Sequence, residues 1–196
     1  VQSSLEASLT RLQLDHVDLF QLHNTIGRRD PRGKLGASQV LEEVVPALEK
    51  LREAGKTRLL GFTAKGQADD LHALAASGCF DSAQVFYNLL VPSAGEVMPP
   101  GYPADDFRQL LDAAARHGVG AIGVRVLAGG ALSGTEARHP LSMSSVAPIG
   151  SDTDYATDVR RALRFAAAGR GGLRRQLAGA RNPLCHLQSG AAHHRD

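Results

Sequence analysis

A chain of 196 residues, 43% hydrophobic and 21% charged, has the size and composition of one globular domain. Its formal net charge of +2 is too small to point to nucleic acid or an anionic membrane as partner, and no apolar run is long enough to cross a bilayer. Cys79 and Cys185 lie far apart and form no metal or redox motif, so the expected setting is cytoplasmic and reducing, with no bound metal. The opening VQSSLEASLTRL is polar and amphipathic rather than a signal-peptide core, and Val1 starts inside a helical pattern, as expected of a processed chain or a piece of a longer one.

Ser4 to Leu14 places Leu5, Leu9 and Leu12 at helical spacing. Val17 to His23, VDLFQLH, is a short apolar run with a polar end, followed by a loop over residues 27–36. Val40 to Ala54 reads as a helix with Val44, Leu48 and Leu51 on one stripe and Gly55 as its stop. Leu59 to Thr63 is the next strand, Asp69 to Ala76 the next helix, and Ser82 to Leu90 the third strand. Residues 92–103 form a proline-rich loop, Asp105 to His117 a helix, and Gly120 to Leu127 a fourth strand. Residues 139–152 read as a Ser/Pro-rich loop and Tyr155 to Ala168 as a last helix.

Strand, loop and helix in alternation predict a parallel sheet, and apolar runs such as LLGFT and AIGVRVL predict strands covered on both faces. A doubly wound open sheet and a (β/α)₈ barrel both fit, although no strand is followed by the glycine fingerprint of the dinucleotide-binding open sheet. Residues 169–196 change texture, with five Arg, three His and no acidic residue before Asp196. Two readings stand for this segment: a disordered basic tail, or sequence read out of frame after Ala168. The expected division is therefore residues 1–168 as the folded part and 169–196 as a low-order tail.

Four blocks in order resemble the aldo/keto reductase family. SLEASLTRLQLDHVDLFQLH is similar to its helix leading into a strand that ends in a histidine. ALEKLREAGKTRLLGFT, AQVFYNLL and VLAGGALSG are similar to its later blocks, so the resemblance runs from about Ser4 to Gly134. It implies part of a (β/α)₈ TIM barrel, incomplete at about four parallel strands with their helices, the fourth to seventh of the family's eight. It also implies hydride transfer between NADP (NADPH) and a small-molecule carbonyl substrate.

The resemblance gives His23 the role of hydrogen-bonding the substrate carbonyl oxygen from a strand's C-terminal end. The plain alternative is a histidine satisfied in a loop. Gln84 matches the glutamine that binds the nicotinamide carboxamide, with Tyr87 and Asn88 further along; the alternative is a strand glutamine bonded to backbone. Thr63 matches a further carboxamide contact, and Ala64 stands where the family commonly has asparagine, so one hydrogen bond is missing. Arg125 stands where an aromatic often stacks on the nicotinamide and either stacks by its guanidinium plane or leaves the contact unmade. Leu127, Gly130 and Leu132 belong to the block that passes the pyrophosphate, or else to an ordinary strand-to-loop turn.

The family's tyrosine, aspartate and lysine come before the block that matches VDLFQLH, and Tyr87, Tyr102 and Tyr155 do not sit in their motif. The expectation is a reductase fragment that is inactive in isolation. A non-catalytic truncated remnant and a partner-binding half-barrel are the alternatives. Exposed sheet edges would favour self-association or an N-terminal partner fragment.

Overall fold

The computed structural model describes residues 1–27, 34–137, 140–141, 143, 147, 151 and 154–168, with backbone alone for 166–168. Most of the expected loop at 139–152 and all of the expected tail at 169–196 lie outside the described residues. The chain falls into two units: Val1–Val126 with Ile149–Asp152, and Leu127–Pro148 with Thr153–Asp196.

In the first unit, α1 (Gln2–Leu12) leads to β1 (Val17–Leu22). Leu5 and Leu9 of α1 are buried against Leu51, with Val17 and Phe20 packed beside them. The expected single helix after β1 is built from α2 (Ala37–Gln39), a π-helical turn (Val40–Val44) and α3 (Val45–Glu53), joined without a break. Pro46, at the start of α3, explains the wider turn, since it has no N–H and its ring crowds the carbonyl four residues back. The backbone N–H of Ala37 donates to Asp70 Oδ1 (2.9 Å), which satisfies one orphan donor at this helix start.

Then follow β2 (Thr57–Ala64), α4 (Ala68–Ala76), β3 (Ser82–Phe86), α5 (Leu110–Arg116) and β4 (Gly120–Val124). The strands form one parallel sheet in the order β1-β2-β3-β4. This repetition of helix and sequentially adjacent parallel strand is the unit of which (β/α)₈ barrels are made. Leu60, Phe62 and Ala64 of β2 and Ala83 and Val85 of β3 are all 0% exposed. Phe62 meets Phe80 edge-on, with ring centroids 5.0 Å apart.

Four expectations are corrected. β3 ends at Phe86 rather than Leu90, because Asn88 draws the chain into a turn. β4 ends at Val124 rather than Leu127, because Arg125 takes a left-handed φ of 58°. The helix expected from Asp105 begins only at Leu110, since Arg108 and Gln109 have φ of 49° and 57° and their neighbours are claimed by Ser93. Ser93 Oγ donates to Asp105 O (2.6 Å) and accepts from Phe107 N (3.1 Å), and Gln109 N donates to Ser93 O (2.9 Å). Lastly, β4 is not covered on both faces: Gly120 to Gly123 are exposed, because β3 is the strand it pairs with among the described residues.

In the second unit, a 3₁₀ segment (Ala128–Ser133) and α6 (Tyr155–Ala168) are described. Asp154 opens α6 by accepting from Thr157 N (2.7 Å) and Thr157 Oγ1 (2.9 Å), and these bonds hold its carboxyl below the usual range.

Candidate functional site

Side chains alternate across a strand, so the register sorts the sheet into two faces. Leu60, Phe62 and Ala64 share the face that meets the helices. Gly61 and Thr63 belong to the other face, with their partners Ser82 and Gln84 on β3. Gln21 joins that face opposite Gly61, and Ile122 joins it opposite Gln84.

His23 is the first residue past β1. Leu22 pairs with Phe62, so the next step brings His23 level with Thr63, and Thr63 pairs with Gln84. His23 is exposed, one residue past the strand end, and continued alternation from Gln21 would put it on the same face. Thr63 and Gln84 stand side by side toward the C-terminal ends of adjacent parallel strands, which is where parallel barrels place their sites.

Thr63 is 5% exposed and its Oγ1 donates to Gln84 Oε1 at 3.0 Å. Gln84 is therefore bonded to a side chain, and not to backbone as its plain alternative had it. The bond occupies the carbonyl end of the amide and leaves the Nε2 donors available on the open face. Ala64 pairs with Val85 and is 0% exposed on the helix-facing side, so no side-chain donor replaces the asparagine of the family pattern.

The loop after β1 is tied to the loop after β2 by backbone hydrogen bonds. Ile26 N donates to Lys65 O (2.7 Å) and Gln67 N to Ile26 O (2.8 Å). Gly66, with φ of 135°, makes this approach possible: a Cβ there would overlap the Ile26 carbonyl. Ile26 is 0% exposed, so the segment that carries His23 away from β1 is anchored within three residues.

Asn88 plays a structural part. Its Oδ1 accepts from Leu90 N (2.9 Å) and Val91 N (3.1 Å), and its Nδ2 donates to Arg125 O (3.0 Å). The left-handed turn at Arg125 is held through that carbonyl. The guanidinium itself is half-buried. Tyr87 lies against Gly95, and burial, then the charge of Glu96, push its hydroxyl pKa above the usual tyrosine value.

Leu127, Gly130 and Leu132 lie in the second unit. Gly130 N and Leu132 N both donate to Leu127 O, at 2.9 and 3.3 Å. Ala128, Gly129 and Gly130 have successive φ values of 50°, 68° and 107°. Leu127 (φ −95°) followed by Ala128 (φ 50°) makes the right- then left-handed pair whose backbone N–H groups converge, a shape suited to an anion. Among the described residues, no group of three His, Cys, Asp or Glu is placed to hold a metal, and no helix is long and apolar enough to cross a membrane.

The sequence reading passed over Gln21, Gly61, Gly66, Ser82 and Ser93. The first and fourth carried a signal: each is a polar residue two positions before a singled-out one, inside an otherwise apolar strand. Gly66 and Ser93 act through loop backbone and left no pattern to read.

A stretch of 64 residues is 42% identical to L-galactose dehydrogenase of Arabidopsis thaliana; it makes up 32% of this chain and 18% of that protein. Two solved structures of aldo-keto reductase AKR11C1 from Bacillus halodurans, apo and holo, superpose on 72% of this chain. The apo structure has a TM-score of 0.50 at 20% identity, which speaks to fold alone. The holo structure has a TM-score of 0.48 at 21% identity. The chain spans about two fifths of their length, 41% and 40%. The sequence model of the aldo/keto reductase family matches residues 1–177. With the match covering most of the sequence and the parallel βα units in place, the chain belongs to the aldo/keto reductase family of oxidoreductases.

Proposed function

We propose that this chain supplies the carbonyl-facing and nicotinamide-facing strand ends of an NADP-dependent reductase of small aldehydes or ketones. The observation that carries the reading is the Thr63–Gln84 hydrogen bond, with His23 brought level with it by register. In this reading Thr63 fixes the Gln84 amide so that its Nε2 donors meet the carboxamide oxygen of the nicotinamide. His23 donates a ring N–H to the substrate carbonyl oxygen, where negative charge develops. Bound NADPH supplies the hydride. Arg125 would border the nicotinamide with the plane of its guanidinium. Taken by itself, the turn containing Leu127, Gly130 and Leu132 has a backbone that would suit a phosphate group.

The proton for the product alkoxide needs another source. Tyr102 and Tyr155 donate to the carbonyls of Leu90 and Thr135, and the Tyr87 ring packs on Gly95. Neither Tyr87 nor Tyr102 lies in a strand beside His23. The 196 residues are therefore expected to bind cofactor without turning over a carbonyl alone, and to act with a segment that brings a general acid. A cytoplasmic setting, where NADPH and reduced thiols coexist, goes with this reading. The exposed strand β4 favours association with another chain along that edge.

A thermal-shift titration tests the proposal. NADPH should raise the melting temperature of the chain, since a ligand at about 100 times its Kd adds about 2.7 kcal/mol. Gln84→Leu should reduce the shift. No shift at millimolar NADPH would overturn the reading in favour of a non-catalytic remnant.

A further inference from the structure

One step below His23, Thr63 and Gln84, the same sheet face carries Gln21, Gly61 and Ser82 in register. Gln21 and Ser82 lie on strands separated by β2, about 9 to 10 Å apart at the backbone. Even so, Gln21 Nε2 donates to Ser82 Oγ at 3.3 Å. The glycine between them lets them meet. A Cβ at Gly61 would overlap Ser82 Oγ and stand 2.9 Å from both Gln21 Cγ and Gln21 Nε2. A side chain on β1 thus reaches across β2 and clasps β3. The interior layers of such barrels are ordinarily filled by branched aliphatic residues, so a polar clasp at this height calls for a reason.

We propose that the Gln21–Ser82 clasp over Gly61 is a positioning device for the nicotinamide end of the site. It forms the floor beneath His23, Thr63 and Gln84 and keeps the Gln84 amide facing outward. Gln21 is the positioning residue, since it acts by occupying Ser82. The argument is one of competition. Ser82 Oγ and the Gln84 amide are successive groups on one face of β3. While Gln21 occupies Ser82 and the space over Gly61, Gln84 bonds to Thr63. If Gln21 is shortened, the space over Gly61 opens and Ser82 Oγ loses its donor. Gln84 can then turn down to Ser82 and abandon Thr63. The inference rests on the NADP reading above.

The test uses the full chain and two ligands: NADPH, and adenosine 2′,5′-bisphosphate, which lacks the nicotinamide. Gln21→Ala should weaken NADPH about fivefold, the factor that one net hydrogen bond of about 1 kcal/mol gives, whereas Ser82→Ala, which leaves Gln84 no hydroxyl to turn to, should bind it as wild type does. Affinity for the bisphosphate should stay at the wild-type value in both. In the ligand-free chain, the Gln84 side-chain amide resonances should move in Gln21→Ala. Should Gln21→Ala fail to fold, Gln21→Asn, one methylene too short to hold Ser82, carries the same expectation. Wild-type NADPH affinity in the shortened variant, or equal loss of both ligands, would overturn the clasp while leaving the cofactor reading intact. A wild-type chain that binds neither ligand would overturn both.

Discussion

Asn88→Ala removes the residue that joins the end of β3 to the end of β4. Asn88 is 8% exposed, and its side chain makes three hydrogen bonds to backbone: two accepted from Leu90 N and Val91 N, one donated to Arg125 O. At about 1 kcal/mol net for each bond, the loss totals about 3 kcal/mol. Val91 N keeps its bond to the Asn88 carbonyl, which alanine retains, so the expected cost is about 2–3 kcal/mol. For a protein of this size that lowers the melting temperature by roughly 4–12 °C. Thermal unfolding followed by circular dichroism measures the shift. Amide hydrogen exchange supplies a second reading, since the Leu90 amide should exchange faster in the variant. Asn88→Asp separates the two halves of the argument. It keeps an acceptor for Leu90 and Val91 but has no donor for Arg125 O, so the Leu90 amide should stay protected while stability falls. An alanine variant that melts within about 2 °C of wild type, with Leu90 still protected, would refute the reasoning.

Other substitutions probe the supports of the site. Gly66→Ala should leave little folded protein in solution, because its Cβ would overlap the Ile26 carbonyl at a φ of 135°; a well-folded variant would show that the two loops are free to part. Asp70→Ala should cost about 1 kcal/mol through the lost bond to Ala37 N, and Asp70→Asn, which keeps an acceptor, should cost less; denaturant titration of the pair decides it. Tyr87 has a folded pKa above its ordinary value of 10.0, so its contribution to stability is fully present below about pH 10 and is lost as pH rises through the folded value. Between pH 9 and 11.5 the melting temperature of wild type should therefore fall more than that of Tyr87→Phe, and parallel curves would exclude the coupling.

The parallel strands were legible because their apolar runs and the glycines behind their helices are one-dimensional signals. Val17 to Leu22, Thr57 to Ala64 and Tyr155 to Ala168 lie within two residues of where periodicity puts them. The misread boundaries share one cause. At Asn88, Ser93 and Pro46 a side chain or a ring redirects the backbone hydrogen bonds of its neighbours, and hydrophobic spacing carries no trace of that. At Arg108, Gln109 and Arg125 a residue other than glycine takes a left-handed φ, which composition does not announce. The covered character expected of AIGVRVL failed for a different reason. Its apolar pattern records what the strand is suited to pack against, whereas its exposure depends on which neighbours are present. Of the candidate site, His23, Thr63 and Gln84 were read from the chain. Their alignment came from the register, which no single strand contains.

The two ends of the sheet are held by different means, and the difference follows from what each must do. Where the strands begin, Asp81 binds both neighbours: its carboxylate accepts from Leu60 N (2.8 Å) and its backbone carbonyl from Gly120 N (2.8 Å). Beside it lie the fully buried Leu60 and the ring pair of Phe62 with Phe80. Packing and hydrogen bonds act there together. Where the strands finish, an apolar plug would fill the space that the proposed function assigns to a ligand. The fastenings at that end are backbone bonds at Ile26 and Gly66, an amide at Asn88 and a hydroxyl on Gln84. Each holds a loop or strand end in place with little volume, and each depends on a residue type with no close substitute at its position. Variation in this half should accordingly be tolerated at Leu and Val positions that pack, and resisted at glycine, asparagine and glutamine positions that fasten.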